Sequence, residues 1–166
     1  LAMPQIGRGK GDDDLFSYMS GAKKTDDFGR FRITGNPEDL YAFRTPTLLN
    51  ITQTGPWSHS GAYTRLKDII QHHLNPQRAI EIFDIKQLNQ KGLQLEDMAI
   101  NTQYALEHLE ILREKGLSKL PIINLSEDEI SDLLFFLETL TDPCVKDPVC
   151  LAPWVEGDFK FQLDSQ

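Results

Sequence analysis

The alternation of hydrophobic and polar positions predicts a helix most clearly near the C-terminal end of the chain. Ser126 followed by Glu129 forms a capping box, in which each residue satisfies a free backbone group at a helix start. Apolar residues then recur at three- and four-residue spacing, as on one face of a helix: Ile130, Leu133, Leu134, Leu137 and Leu140. Because Pro143 disfavours helical backbone just before it, the helix should end near Thr141.

Two further helices are predicted upstream. One begins near Thr64, carries Leu66, Ile69 and Ile70 at helical spacing, and ends at Asn75-Pro76. Another covers residues 102–115, with Ala105, Leu109 and Leu112 facing inward, Asn101 as a possible cap and Gly116 as the left-handed stop. Both have the apolar stripe that a helix needs in order to pack against a core.

The rest of the chain is predicted to be mostly loop. Residues 1–43 are turn-rich, with Phe28–Thr34 as the only strand candidate. Thr45-Pro46-Thr47 predicts the start of a brief helix that Gly55-Pro56 breaks. Residues 77–100 give mixed signals and are interpreted as loop with one helical turn. The fold class is therefore mainly α, with long loops and little or no sheet, and loops of this length usually wrap something.

Composition limits the partners and the setting. The chain has 166 residues, 25 acidic and 17 basic, and a formal charge of −8, so it should repel nucleic acid. An acidic surface favours a basic protein partner, such as a small electron carrier, although it also serves solubility alone. No run of eighteen apolar residues occurs, so we expect no membrane span. The first residue is Leu1 and the opening residues are loop-like, which we interpret as an internal cut in a longer protein.

The two cysteines, Cys144 and Cys150, lie in a Pro-rich stretch after the last predicted helix. Their closeness near a terminus favours a disulfide in an oxidising compartment, and a reduced pair without a role is the alternative. Their spacing is not C-x-x-C and no His follows Cys150, so neither haem attachment nor a zinc site fits them.

The helical pattern gives different settings to three of the four histidines. His73 completes the stripe of Leu66, Ile69 and Ile70 and should point inward, whereas His72 falls off that stripe and should face outward or sideways. His108 is expected to be a solvated surface residue. An inward His is either a hydrogen-bonded core residue or a ligand, and the pattern alone leaves both open for His73.

The loop over residues 52–61 places Trp57 and His59 between Gly55 and Gly61. Glycines allow backbone to lie close to a flat ligand, so the composition suits such a ligand. A plain turn with a packed Trp is the other interpretation.

Five blocks of the chain, in order, are similar to the C-terminal domain of bacterial di-haem cytochrome c peroxidases and of the related MauG-like enzymes. The blocks are residues 27–35, 43–50, 54–61, 66–73 and 125–142. The resemblance covers about residues 1–142, and it implies a cytochrome c-like haem domain. Residues 143–166 form a C-terminal extension outside it.

The resemblance implies a cofactor set and a site. Each domain of the family carries a haem c attached through C-x-x-C-H, two haems in the complete protein, and this chain lacks that motif, which should precede Leu1. The position where the peroxidases place a Met axial ligand, and the MauG-like enzymes a Tyr, is His73, with His72 as the rival. An imidazole there implies a lower potential than Met does. The family's interdomain calcium ion would meet the carbonyls of Thr54 and Pro56, and the haem pocket would include Arg44, Pro46, Trp57 and His59.

The resemblance also implies a function. The domain would relay electrons in a periplasmic oxidoreductase to a peroxide-reactive haem in a missing N-terminal domain, with hydrogen peroxide as oxidant and a small cytochrome or cupredoxin as donor. Oxidation of a side chain of a partner protein is the MauG-like alternative. A non-catalytic electron-transfer or docking module is the alternative from another class.

Overall fold

A computed structural model describes residues 1–7, 25–88, 90–93, 95–118, 120–121 and 123–154. Its α-helices are α1 (Phe31–Thr34), α2 (Leu66–Leu74), α3 (Pro76–Glu81), α4 (Met98–Glu114), α5 (Glu127–Thr139) and α6 (Pro148–Leu151). Short 3₁₀ turns cover Pro37–Asp39, Ile51–Gln53, Ile85–Gln87, Pro143–Lys146 and Ala152–Trp154. The described residues form only two isolated bridges, Gly29 with Ala42 and Trp57 with Tyr63. The predicted class, mainly α with little or no sheet, is confirmed.

Helices α2 and α3 follow each other with one residue between them. Asn75 donates its backbone N–H to the Gln71 carbonyl, which ends α2, and its side chain accepts from the Arg78 N–H, which caps α3. Pro76 takes the first position of α3, where its missing N–H costs no helical hydrogen bond. The predicted end of α2 is confirmed, and the chain from Pro76 to Glu81 is helical where a mostly loop-like segment was expected.

Helix α4 begins at Met98, four residues earlier than the pattern predicts. Asn101 is buried inside the helix and donates to the Thr25 hydroxyl at 2.8 Å, so the prediction that it caps the helix is wrong. Ala105 and Leu109 are buried as predicted, and Gly116 has φ +67°, the left-handed conformation that stops the helix.

Helix α5 has the predicted capping box. The Ser126 hydroxyl accepts from the Glu129 N–H at 3.2 Å, and the Glu129 carboxylate accepts from the Ser126 N–H at 2.8 Å. Ile130 and Leu137 are buried, and the Lys67 ammonium lies 2.5 Å from the Glu127 carboxylate, joining α5 to α2.

The N-terminal segment runs through the interior as irregular backbone. Residues 2–6 are all buried. Met3 and Ile6 pack with Ala62, Tyr63 and Ile69, whereas Ala2 packs with the inner face of α4 through Ala105, Leu106 and Leu109. The Gln5 N–H donates to the Thr102 hydroxyl at 3.0 Å, so a buried backbone group without secondary structure is still paired.

Two predicted elements are wrong. Phe28–Thr34 is not a strand, because Gly29 turns the chain with φ +58° and α1 then runs from Phe31 to a left-handed Gly35. No helix starts at Thr45-Pro46-Thr47, where the backbone stays irregular up to a turn at Leu49. There the Thr47 hydroxyl accepts from the Leu49 N–H at 3.2 Å, so a local side-chain bond replaces the first helical turn.

The described part of the C-terminal extension is closed by a disulfide. Cys144 and Cys150 are bonded, with their Cα atoms 5.2 Å apart. None of the described helices is long and apolar enough to cross a membrane.

The disulfide gives a prediction about the protein in solution. Thiol titration of the untreated, denatured chain is expected to find no free thiol, because both cysteines are in the bond. Titration after reduction should find two and serves as the control. Two free thiols before reduction would contradict the bond.

Candidate functional site

His72 is a fully buried core residue that uses both of its ring nitrogens. Its Nε2 lies 2.6 Å from the Leu1 carbonyl, and its Nδ1 lies 2.7 Å from the Tyr63 hydroxyl. A carbonyl can only accept, so Nε2 carries the proton and the Tyr63 hydroxyl donates to Nδ1. Burial lowers the pKa of His72 to about 4. The hydrogen bond to Leu1 favours the charged form and raises the pKa, but its effect is smaller than that of burial. The imidazole is therefore neutral, and neither nitrogen is free to bind a metal.

His73 lies on the exposed side of α2, so the prediction that its side chain turns into the core is wrong, as is the prediction that His72 faces outward. Its Nδ1 lies 2.8 Å from the Ile69 carbonyl and must donate to it. In the neutral ring the lone pair then sits on Nε2, which has no hydrogen-bond partner among the described residues. A second nitrogen fixed by a backbone carbonyl is the usual setting of a metal-binding imidazole.

The buried stripe of α2 continues into α3, and this explains the error. The buried positions are Ile69, His72, Pro76 and Ala79, spaced by three, four and three residues, and Ile70 lies beside them. The sequence prediction used only Leu66, Ile69 and Ile70, because it treated the helix as ending at Asn75. It therefore placed His73, rather than His72, on the buried face. The pattern could have identified His72 if α2 and α3 had been treated as one helical face.

His59 lies in a small cluster with Phe43 and Asp27. Its ring stacks on Phe43 with centroids 3.5 Å apart, and its Nε2 is 3.9 Å from an Asp27 carboxylate oxygen. The side chain is 14% exposed, and burial lowers the pKa of His59 to about 4. Burial also raises the pKa of Asp27 above its ordinary value. The two rings are nearly parallel, and among the described residues no ring contact or hydrogen bond joins this stack to His73.

The Trp57 loop is tied down by its own backbone. The Trp57 indole N–H donates to the Ile51 carbonyl at 2.8 Å, and Trp57 and Tyr63 exchange both backbone hydrogen bonds. A Cβ at Gly55 would lie 3.0 Å from the Trp57 ring, so the indole covers the backbone there. This geometry is that of a turn with a packed Trp.

The carbonyl oxygens of Thr54 and Pro56 remain available. Among the described residues neither accepts a backbone hydrogen bond, and both residues are exposed. Carbonyl oxygens suit calcium, but an ion of that kind takes six to eight ligands, so two carbonyls make only part of a site. No group of three or more His, Cys, Asp or Glu side chains comes together as a metal site in the described part of the chain.

The segment that contains Arg44 and Pro46 is exposed along its whole length. All residues from 43 to 49 are exposed, and they include Leu48 at 51% and Leu49 at 58%. The apolar side chains of this run form an exposed apolar surface of the kind against which a flat ligand packs. The structure shows no hydrogen bond or ring contact between His73 and Arg44, Pro46, Trp57 or His59 among the described residues.

A buried acid–phenol pair was missed by the sequence analysis. Asp26 is fully buried and accepts from the Tyr41 hydroxyl at 2.6 Å, while its other oxygen has no partner among the described residues. Burial, and then the bond to Asp26, raise the pKa of Tyr41. Tyr41 also meets His108 edge to face at 5.9 Å, and His108 is half-buried, so the prediction that it is a solvated residue is wrong.

The neutral imidazoles of His72, which is buried, and His59, whose side chain is mostly covered, give the fold a predictable pH dependence. His59 and His72 should stay unprotonated in the fold down to about pH 4, whereas in the unfolded chain they protonate near pH 6.5. The unfolded state then binds more protons in that window, so stability should fall as pH falls, by on the order of 2 kcal/mol per imidazole between about pH 7 and 5. Urea unfolding at the two pH values measures the difference.

A His59→Gln variant is the control for this prediction, since it removes one of the two titrating rings. Its stability should change less between the two pH values. The raised pKa of Asp27 acts in the opposite direction, since the folded state then binds its proton more readily than the unfolded chain does. Equal stability of the unaltered chain at both pH values would contradict the prediction.

The described residues form a mainly helical structure with an exposed segment at residues 43–49 and a surface imidazole, His73, whose Nδ1 is bonded to the Ile69 carbonyl. The cytochrome-c peroxidase IdrP1 of Pseudomonas sp. (strain SCT) is 36% identical to this chain over 47 residues, which are 28% of this chain and 12% of that protein. The chain thus corresponds to a small part of that protein's length. No protein-family model matches the chain, and no solved structure matches it. The similarity supports a peroxidase-type relationship for the matched part of the chain.

Proposed function

We propose that the chain is the electron-relay haem domain of a periplasmic di-haem peroxidase-type oxidoreductase. The observation that carries the proposal is His73, whose Nδ1 is held by the Ile69 carbonyl while Nε2 is left with an unshared lone pair on an exposed surface. The partial similarity to a cytochrome-c peroxidase supports the same cofactor. A haem c, when bound, supplies one-electron redox chemistry at its iron.

The chain's own residues would have three tasks toward that cofactor. His73 would hold the haem iron through Nε2, and the Ile69 carbonyl would fix the tautomer and the ring orientation of its imidazole. The exposed run at residues 43–49, which includes Arg44 and Pro46, would cover a face of the macrocycle. The Phe43–His59 stack and the Trp57 turn would support that loop rather than bind iron.

His72 is excluded from the proposal by its contacts. Both of its nitrogens are paired in the interior, and freeing either one would leave the Leu1 carbonyl or the Tyr63 hydroxyl without its partner. Of the two adjacent histidines, the one with a free nitrogen at the surface is His73.

We also propose that the Thr54 and Pro56 carbonyls contribute to a calcium site whose remaining ligands come from water and from another domain. The support for this proposal is that neither carbonyl oxygen accepts a backbone hydrogen bond among the described residues. Metal analysis of the complete protein before and after dialysis against a chelator tests this. Calcium that is absent before dialysis would contradict it.

The relay function is tested with a haem c peptide that carries C-x-x-C-H and thus one axial His of its own. Mixed with the full chain, the peptide is expected to become six-coordinate and low-spin, because His73 fills the open position. It should also lose its reactivity with hydrogen peroxide, since a relay haem has no open site. A complex that reacts with peroxide as fast as the free peptide would contradict the relay function.

A further inference from the structure

The disulfide closes a surface loop that lies outside the hydrophobic core. The bond between Cys144 and Cys150 joins the turn at Pro143–Lys146 to α6, and no residue of either element is buried. In the described part of the chain, the hydrogen bonds of these two elements are local, and the carboxylates of Asp142 and Asp147 cap their first turns. The bond therefore constrains a loop that has no core of its own.

This loop is hydrogen-bonded to the preceding part of the fold around Asn50. The Asn50 N–H donates to the Leu140 carbonyl at 3.0 Å, and the Asn50 side-chain oxygen accepts from the Asp142 N–H at 2.7 Å. The Asp142 carboxylate in turn accepts from the Cys144 N–H at 2.8 Å. Asp142 thus contacts Asn50 on one side and the first cysteine of the disulfide on the other.

The disulfide is open to attack by a thiol from solvent. Cys150 is exposed and Cys144 is half-buried. An exposed disulfide is the kind that reductants break, and closing a short loop stabilises a protein least. One thiolate of a dithiol attacks Cys150 Sγ, forms a mixed disulfide and releases Cys144 as a thiolate, which takes up a proton. The second thiol of the reductant then displaces Cys150, so two electrons pass to the protein, both cysteines end as thiols, and the reductant becomes a disulfide.

We propose that the Cys144–Cys150 disulfide is a thiol-responsive latch for residues 50–52. The closed bond holds Cys144, and with it the contact between Asp142 and Asn50, in one geometry. After reduction only caps and short turns hold the loop, and turns of this length are marginal in water. The contacts of Asn50 then open more often.

Residues 50–52 connect the latch to the exposed run at residues 43–49. The Ile51 N–H donates to the Leu48 carbonyl at 3.1 Å, and the hydroxyls of Thr52 and Thr141 lie 2.8 Å apart. Opening of the latch therefore loosens the end of that run. The latch does not depend on haem binding, and only its effect on a bound cofactor rests on the proposed function.

Amide hydrogen exchange of the full, folded chain before and after reduction with dithiothreitol tests the latch. Exchange of the Asn50 and Asp142 amides should rise about tenfold after reduction, because their contacts open locally. The Ile130 amide, which bonds to the Ser126 carbonyl at the start of α5, should exchange at an unchanged rate. The double variant Cys144→Ser, Cys150→Ser should show the fast exchange without any reductant.

Asn50→Gly is the matched control for the route through Asn50. Asn50 has φ +60°, which glycine adopts without strain, so the variant keeps the backbone and removes the side-chain acceptor. The Asp142 amide should then exchange fast with the disulfide intact. Reduction of this variant should add little, because the contact through which the latch acts is already absent.

Three results would overturn the proposal. A disulfide that dithiothreitol leaves intact in the folded chain would not be thiol-responsive. Reduction that leaves the exchange of Asn50 and Asp142 unchanged would restrict the bond to its own loop. Faster exchange that spreads to Ile130 would make the bond a general stabiliser of the fold instead of a local latch.

Discussion

The His73→Ala chain is expected to leave a bound haem c peptide high-spin, with one open axial position, where the unaltered chain makes it low-spin. Removal of the imidazole takes away Nε2, the free nitrogen that the Ile69 contact leaves on the surface. The fold should survive, because the residue is exposed and the chain loses one hydrogen bond, worth about 1 kcal/mol. The visible spectrum of the mixture, with circular dichroism as the check on folding, gives the measurement.

Two controls make the result specific to ligation. Added imidazole should restore the low-spin spectrum of His73→Ala by occupying the open position. His73→Met should keep the iron six-coordinate but raise its potential, because a thioether ligand favours the reduced iron more than an imidazole does. If the His73→Ala spectrum stays low-spin without imidazole, His73 is not the ligand.

The two neighbouring histidines show what a sequence pattern can and cannot determine. Helical spacing correctly identified Ile69 and Ile70 as core residues, whereas the ligand role that the resemblance implies for His73 stays a prediction. Spacing could not decide which of two adjacent residues is buried, because a helix face is broad and the row chosen depends on where the next helix packs. Here α3 continues the stripe through Pro76 and Ala79, and this draws His72 inside.

Predictions of local structure succeeded where a cap or a stop residue follows a clear helical pattern, and failed where a glycine turns the chain inside an apparent strand pattern. The capping box of α5 and the glycine stop of α4 both hold, since each is a local hydrogen-bonding or steric requirement. The alternation at Phe28–Thr34 misled, because Gly29 adopts a left-handed conformation that its neighbours in sequence do not reveal.

The buried path of the N-terminal segment could not be predicted at all. Residues 2–6 lack a helical or alternating pattern, yet they pack against α2 and α4, and the segment from Leu1 to Ile6 is hydrogen-bonded to side chains far along the chain. The Gln5 N–H bonds to Thr102, 97 residues away, and Leu1 bonds to His72, 71 residues away. Contacts of this kind are properties of the folded chain, and His72 is one of the residues that hold the segment in place.

His72→Ala is expected to destabilise the fold strongly while leaving the haem spectrum of the surviving folded chain unchanged. The substitution removes a fully buried ring, opens a cavity, and strips the Leu1 carbonyl and the Tyr63 hydroxyl of their partner. Cavity formation together with unpaired polar groups should lower the free energy of unfolding by about 3–5 kcal/mol. Urea unfolding at neutral pH measures the loss.

Tyr63→Phe and His73→Ala are the comparison variants for that measurement, and both should lose less stability than His72→Ala. Tyr63→Phe removes only the hydroxyl that donates to His72 Nδ1, so it should cost about 1–2 kcal/mol. His73→Ala should cost about 1 kcal/mol or less because its ring is at the surface. Substitution of His72 should therefore lower stability and leave haem ligation unchanged. Substitution of His73 should remove the ligand and leave stability nearly unchanged. A His72→Ala chain as stable as His73→Ala would mean that the Tyr63–His72–Leu1 contacts do not hold the N-terminal segment, because the cost of breaking them would then be negligible.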